Sequence, residues 1–175
     1  VEQLCRLAAQ EMKRLTGFGR CLVYRFDNDG HGAVLAEALD PGYESYAGHR
    51  FPASDIPTQA RDLYRINHIR LIADANYQPV PVRFVDASTE VKDFDMTMVA
   101  LRSVSPIHLE YLRNMRTLAS MSVSIMVRGE LWGLISCHDH APRYPSYQTR
   151  MACEHLGQLL SMQVEAKESN ARVSE

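Results

Sequence analysis

A chain of 175 residues, 46% apolar and 23% charged, has the make-up of one ordinary globular domain with a substantial core. Its formal charge of −2 excludes a nucleic-acid binder or membrane-surface protein driven by bulk electrostatics. Four cysteines with no Cys-x-x-Cys pair exclude a disulfide scaffold or a zinc ribbon, so reduced thiols and a cytoplasmic location are expected. No apolar run reaches the span of a membrane helix, and no basic-then-apolar leader opens the chain. It begins on Val1 rather than Met, which reads as a piece of a longer protein.

Leu4, Leu7, Ala8, Met12 and Leu15 recur at helical spacing and predict an amphipathic helix over 2–16, ended by Gly17. Residues 20–26 read as a strand, with Cys21, Val23 and Arg25 on one face and Leu22, Tyr24 and Phe26 on the other. The turn-rich run 27–32 and a second strand over 33–39 complete a hairpin. A loop over 40–50 leads to Phe51-Pro-Ala-Ser-Asp-Ile-Pro57, whose two prolines fix φ and remove backbone donors. That segment is therefore neither a helix interior nor a central strand, but a stiff, half-buried corner presenting Asp55. Pro57 is expected in the first turn of a helix running from Thr58 to about Asn67.

A strand over 69–72 follows, and then a long irregular crossover, broken by Pro79 and Pro81, with a short strand near Val82–Val85. Ser105-Pro106 opens a helix through His108, Tyr111 and Leu112 to Met115. Strands over 119–127 and 131–138 form a second hairpin; in the first of them Ser120, Ser122 and Ser124 alternate with Met121, Val123 and Ile125. Such a strand meets core on one side and something polar on the other. A last helix over about 146–168 aligns Ala152, Leu156, Leu159, Leu160 and Val164. The whole is one α+β domain over 1–175: a central antiparallel sheet with the terminal helices on one face and the crossover with its short helices on the other. Residues 168–175 are expected to be a frayed tail or the start of a linker helix to a module outside this sequence.

Phosphate-loop, His-Glu-x-x-His and Gly-x-Ser-x-Gly signatures are absent. His138-Asp139-His140 has the look of a metal pair but lacks a third ligand at diagnostic spacing. Arg70, Arg102, Ser105, Ser120 and Ser122 suit carboxylates, since guanidinium forks and hydroxyls pair with planar anions. His108, His138 and Asp55 can donate to or accept from a heterocycle, while Tyr24, Phe51, Ile56, Tyr64, Tyr111 and Met115 supply aromatic and soft apolar walls. Together they suit a flat, conjugated, amphipathic ligand with anionic arms. A dimerisation scaffold built on the leucines of the terminal helices is an alternative, and a hydrolase using His108 or His138 rests on single residues only.

Three segments carry a resemblance. The run 51–57 looks like the proline-aspartate motif of phytochrome GAF domains, and 102–115 and 131–138 are similar to that family in the same order. The resemblance covers about 1–167, and the nearest branch is the bacteriophytochromes, which bind biliverdin, an open-chain tetrapyrrole with two propionates. It implies a GAF domain enclosing a ligand pocket, in a red/far-red photosensor that switches by rotation of the bilin's outermost ring. It implies that the main-chain carbonyl of Asp55, with Ile56 and Pro57 beside it, accepts from pyrrole N–H groups, that Arg102 and Arg70 pair with a propionate, and that Ser105, Ser120, Ser122 and His108 serve the other. His138 would bond the outermost ring's carbonyl, among Tyr24, Tyr64 and Tyr111.

The same resemblance implies upstream PAS and downstream PHY-type modules, homodimers through terminal helices, and an output, usually a histidine kinase, elsewhere in the chain, so that this segment is not itself an enzyme. Two positions depart from the family. Ile107 stands where plant and cyanobacterial relatives have the bilin-linking cysteine, so no covalent attachment through this chain is expected, and Cys137 is expected only to pack. Arg116 stands where glycine is usual, and either strains the turn into the serine strand or reaches a propionate.

Overall fold

The computed structural model describes residues 1–83, 85 and 94–173, without the side chains of 172 and 173. In chain order these form α1 (Glu2–Thr16), β1 (Arg20–Phe26), β2 (Gly32–Leu39), β3 (Arg50–Phe51), a 3₁₀ turn (Ala53–Asp55), α2 (Thr58–Ile66), β4 (Ile69–Ile72), α3 (Pro106–Asn114), β5 (Ala119–Val127), β6 (Glu130–Asp139) and α4 (Tyr147–Val173). The strands make one sheet in the order β3-β2-β1-β6-β5-β4, every neighbouring pair antiparallel.

Residue alternation decides what each sheet face meets. Cys21, Val23, Met121, Val123, Ile125, Ile135 and Cys137 point to one side, where Cys5, Ala8, Ala9 and Met12 of α1 and Cys153, Leu160 and Val164 of α4 close over them. Each such large aliphatic side chain contributes about 1.5–3 kcal/mol by leaving water. Small residues set the separation: a Cβ on Gly157 would stand 2.5 Å from the Val123 side chain, so α4 lies close on β5. That approach shifts the buried stripes from those expected. Leu7 and Leu159 are more than half exposed, and Cys5, Ala9 and Cys153 take the inward positions.

Three boundaries also differ from expectation. Pro57 is the residue before α2, extended at φ −64°, ψ 160°, rather than part of its first turn. The last helix continues to Val173. Val82, Arg83 and Val85 belong to no strand, and residue 84 lies outside the described residues. Among the described residues no helix is long and apolar enough to cross a membrane.

Two non-glycine residues among the described ones adopt the left-handed backbone region, Arg128 in the β5–β6 turn and Arg116 in the link from α3 to β5. Arg128 and Gly129 have φ of 53° and 77°, giving β5–β6 a two-residue turn whose twist suits the strands. Arg116, exposed at the end of α3, has φ 54°. Its N–H bonds to the Arg113 carbonyl, so position 116 turns the chain into β5, and the side chain lines neither cleft described below. The turn into β5 is thus strained at Arg116. An Arg116→Gly protein is expected to be about 1 kcal/mol more stable in thermal unfolding, because only glycine adopts that backbone without a Cβ clash.

Candidate functional site

The sheet face opposite α1 and α4 carries a gradient of chemistry. Register places Arg70 beside Ser122 and Ile72 beside Ser120, then Ser120 beside His138 and Ser122 beside Ser136. It continues with Ser136 beside Leu22 and Leu134 beside Tyr24, and Tyr24 beside Val34. Paired residues in an antiparallel sheet share a face, so the floor runs from cation and hydroxyls at β4–β5 to aliphatic and aromatic groups at β1–β2.

Two clefts open over this floor. The first, about 120 Å³, is lined by Tyr24, Phe51, Asp55, Ile56, Tyr64, His108, Tyr111, Met115, Ser120, Ser122 and His138 among the expected residues. The second, about 330 Å³, is lined by Arg70, Arg102 and Ser105, and shares Tyr64, His108, Ser120 and Ser122 with the first. The second alone reaches the lower end of the roughly 300–1,000 Å³ usual for small-molecule sites. Pro57 borders neither; it positions α2 instead. The first cleft also contains Leu22, Val34, Tyr46, Leu112, Leu134 and Ser136, which sequence reasoning did not single out. Leu22 shares the Tyr24 face of β1, and the same alternation along β6 from His138 gives Ser136 and Leu134.

The apolar end is built from rings. Tyr24 meets Phe26 edge-on at 5.2 Å and Phe51 at 6.1 Å between centroids. A Cβ on Gly32 would come within 2.0 Å of the Tyr24 ring, so the bare glycine backbone is what lets that ring lie in place. Burial, reinforced by the charge of Asp55, pushes the Tyr24 phenol up to about 12, and the same causes raise Tyr111. Both therefore stay neutral donors across the ordinary pH range. His108 lies nearly parallel to Tyr111, 6.2 Å between centroids and 13° between planes.

At the polar end, Arg70 and Arg102 have no hydrogen bond or ion pair among the described residues, and Nη1 of each is buried without a partner. Loss of water makes charge on both costlier, and Arg70's own charge adds to the cost at Arg102. Two neighbouring guanidinium groups with no carboxylate partner among the described residues suit an anion of two oxygens. His108 sits beside them; desolvation first, then Arg102 and Arg70, lower its pKa. It is therefore neutral at pH 7, able to donate through one ring nitrogen and accept through the other.

His138 is strongly displaced. Burial, then the charge of Arg20, push it down to about 3. Arg20 Nε donates to His138 Nδ1 at 3.1 Å. The neighbouring Asp139 is committed elsewhere, accepting from Gly19 N at 3.1 Å, Ala141 N at 2.9 Å and Arg143 Nε at 2.8 Å. His140 stacks on Tyr43. The 138–140 run is thus split among three environments, and the described residues contain no cluster of metal-ligating side chains.

All four cysteines are buried in the core and none lines either cleft. Cys21 and Cys137 face each other across β1 and β6 with Sγ atoms 3.3 Å apart, which is packing, as expected of Cys137.

Comparison with known proteins follows from this geometry. The profile of the GAF domain matches residues 1–167. The chain is 49% identical over 166 residues to a bacteriophytochrome of Pseudomonas aeruginosa, covering 94% of this chain and 22% of that protein. It is 48% identical over 168 residues to cyanobacterial phytochrome B of a Nostoc species, covering 96% and 22%. Among solved structures, the chromophore-binding domain of Stigmatella aurantiaca phytochrome P1 superposes with a TM-score of 0.88 at 50% identity, over 93% of this chain and 53% of that one. A bacteriophytochrome of R. palustris superposes with a TM-score of 0.91 at 44% identity, over 99% and 35%. The chain spans about a fifth of the length of these curated relatives.

Proposed function

Since the chain belongs to the GAF domain family, we propose that it is the bilin-binding photosensory domain of a bacteriophytochrome, its two clefts forming one slot for biliverdin. The observation that carries this reading is the pair of half-buried guanidinium groups of Arg70 and Arg102, each with a buried Nη1 that has no partner among the described residues, in the cleft that adjoins the ring-walled one. That arrangement fits a flat amphipathic ligand with carboxylate arms and suits few others.

Bound there, biliverdin would supply a conjugated system that absorbs red light and a double bond that isomerises beside its outermost ring. The protein's part is to hold and read it. Arg102 and Arg70 hold one propionate, and Ser105, Ser120, Ser122 and neutral His108 hold the other. The Asp55 main chain, stiffened between Pro52 and Pro57, would accept from the pyrrole nitrogens with Ile56 beside it. His138, neutral, offers a hydrogen bond to the outer ring's carbonyl, and Tyr24 and Tyr111 bound the space that ring sweeps. These groups would contact the ring differently in its two positions, and that difference would bias the helices leading outward.

Among the described residues the slot's side chains serve to bind and read the bilin. The output, a histidine kinase in many such proteins, lies elsewhere, with a PAS module before this segment, a PHY module after it, and the whole in the cytoplasm. The outward Leu7, Leu159 and Met162 of α1 and α4 favour a second reading, a helix-mediated homodimer, which is compatible with the first.

Because every cysteine is buried away from the slot and Ile107 stands at the family's cysteine position, no cysteine of this chain links the bilin. Native electrophoresis of the chain mixed with biliverdin is expected to carry the pigment with the protein. Denaturing electrophoresis with zinc-enhanced fluorescence should show no labelled band. A labelled band would overturn the non-covalent reading, and pigment that never migrates with folded protein would leave the scaffold reading in possession.

A further inference from the structure

Arg20 is the largest fully buried side chain among the described residues, 2% exposed, yet among them it has no carboxylate partner. Its Nη1 donates to the Glu44 carbonyl at 3.2 Å, its guanidinium lies 4.1 Å from the Tyr46 ring centroid, and Nη2 is buried without a partner. A buried cation so held is costly, and an apolar side chain would fill the space at less cost. Its remaining bond explains it. Arg20 lies directly opposite His138 across β1 and β6, and its Nε, which can only donate, points at Nδ1.

We propose that Arg20 is the positioning residue for His138, holding the imidazole neutral, fixed in orientation and protonated on Nε2, so that the ring offers the slot a donor and never an acceptor. The chemistry follows from the single bond. A nitrogen accepting from guanidinium carries no proton, so the ring's one proton sits on the other nitrogen. The adjacent positive charge also opposes a second proton and makes the remaining N–H a stronger donor. Ser120, the cross-strand neighbour on β5, is a hydroxyl and imposes no tautomer. The role rests on the bilin reading, in which the ligand group opposite His138 is a carbonyl that can only accept.

The test uses nitrogen-15 histidine labelling of the 175-residue chain, without and with biliverdin, in wild type, Arg20→Met and Arg20→Lys. In the wild type His138 shows one tautomer, bare at Nδ1. Arg20→Met matches wild type or exceeds it in thermal stability, shows both tautomers, and shifts the absorption band of the loaded protein. Arg20→Lys, which keeps a cationic donor, restores the single tautomer and the band. A proton on Nδ1 in the wild type overturns the proposal, and that measurement stands even if Arg20→Met does not fold. Equally fatal is an Arg20→Met protein with the wild-type nitrogen spectrum and band. Absence of biliverdin uptake by the wild type sinks the bilin reading instead, while the nitrogen spectrum still decides what Arg20 does to His138.

Discussion

Arg102→Ala is expected to weaken biliverdin binding by roughly 10- to 100-fold, the loss of a charge-assisted hydrogen bond worth about 1.5–3 kcal/mol. The same change should leave the unliganded fold as stable as before, or more so. In the free protein Arg102 has no partner among the described residues, its Nη1 is buried, and the like charge of Arg70 works against it. Removing it relieves a cost of folding while removing a grip on the ligand. A residue retained for the fold would give the opposite pair of results, lower stability with unchanged affinity. Isothermal titration with biliverdin and thermal unfolding of the same two proteins separate these cases, and an unaltered dissociation constant removes Arg102 from the site.

Acid should loosen the fold through His138. In the unfolded chain this residue takes up a proton near the ordinary histidine value of about 6.5; in the folded protein burial and Arg20 hold it down to about 3. The unfolded state therefore binds more protons throughout that interval, and stability falls as pH drops below 6.5. By pH 5 the loss reaches about 2 kcal/mol from this group alone. His108 is displaced in the same direction and adds to it. Asp139, whose pKa is lowered by its hydrogen bonds from Ala141, Arg143 and Gly19, contributes only at lower pH. Urea midpoints measured from pH 8 to pH 5 should show this slope in wild type and a shallower one in His138→Gln. Parallel profiles would mean that His138 is not held neutral.

Much of the architecture was legible because alternation and helical spacing are strong where one face is buried. The limits of β1, β4 and β5 follow from that signal, as does the serine face of β5. The short edge strand at Arg50–Phe51 was not legible, since two residues carry no period. The inward stripes of α1 and α4 were misjudged at Leu7 and Leu159 because alanine, glycine and cysteine, not leucine, sit where helix and sheet come closest. At the site, residues whose chemistry announces itself, such as Arg102, His108 and Tyr24, were found from sequence. Those that matter by register were missed. Ser136 and Leu134 are ordinary side chains until β6 is paired with β1 and β5, and Arg20 looks like a surface strand-end cation until the fold covers it. Pro57 shows the converse, a motif residue that shapes the backbone without lining the slot.

Absorption spectroscopy of the chain with one equivalent of biliverdin, under alternating red and far-red light, tests the central claim most directly. A slot that grips the bilin by its propionates and leaves its outer ring room to turn between Tyr24, Tyr111 and His138 predicts a red-shifted band. That band should fall under one colour and recover under the other. A folded protein that leaves the spectrum of free biliverdin unchanged, in the dark and in the light, would contradict it.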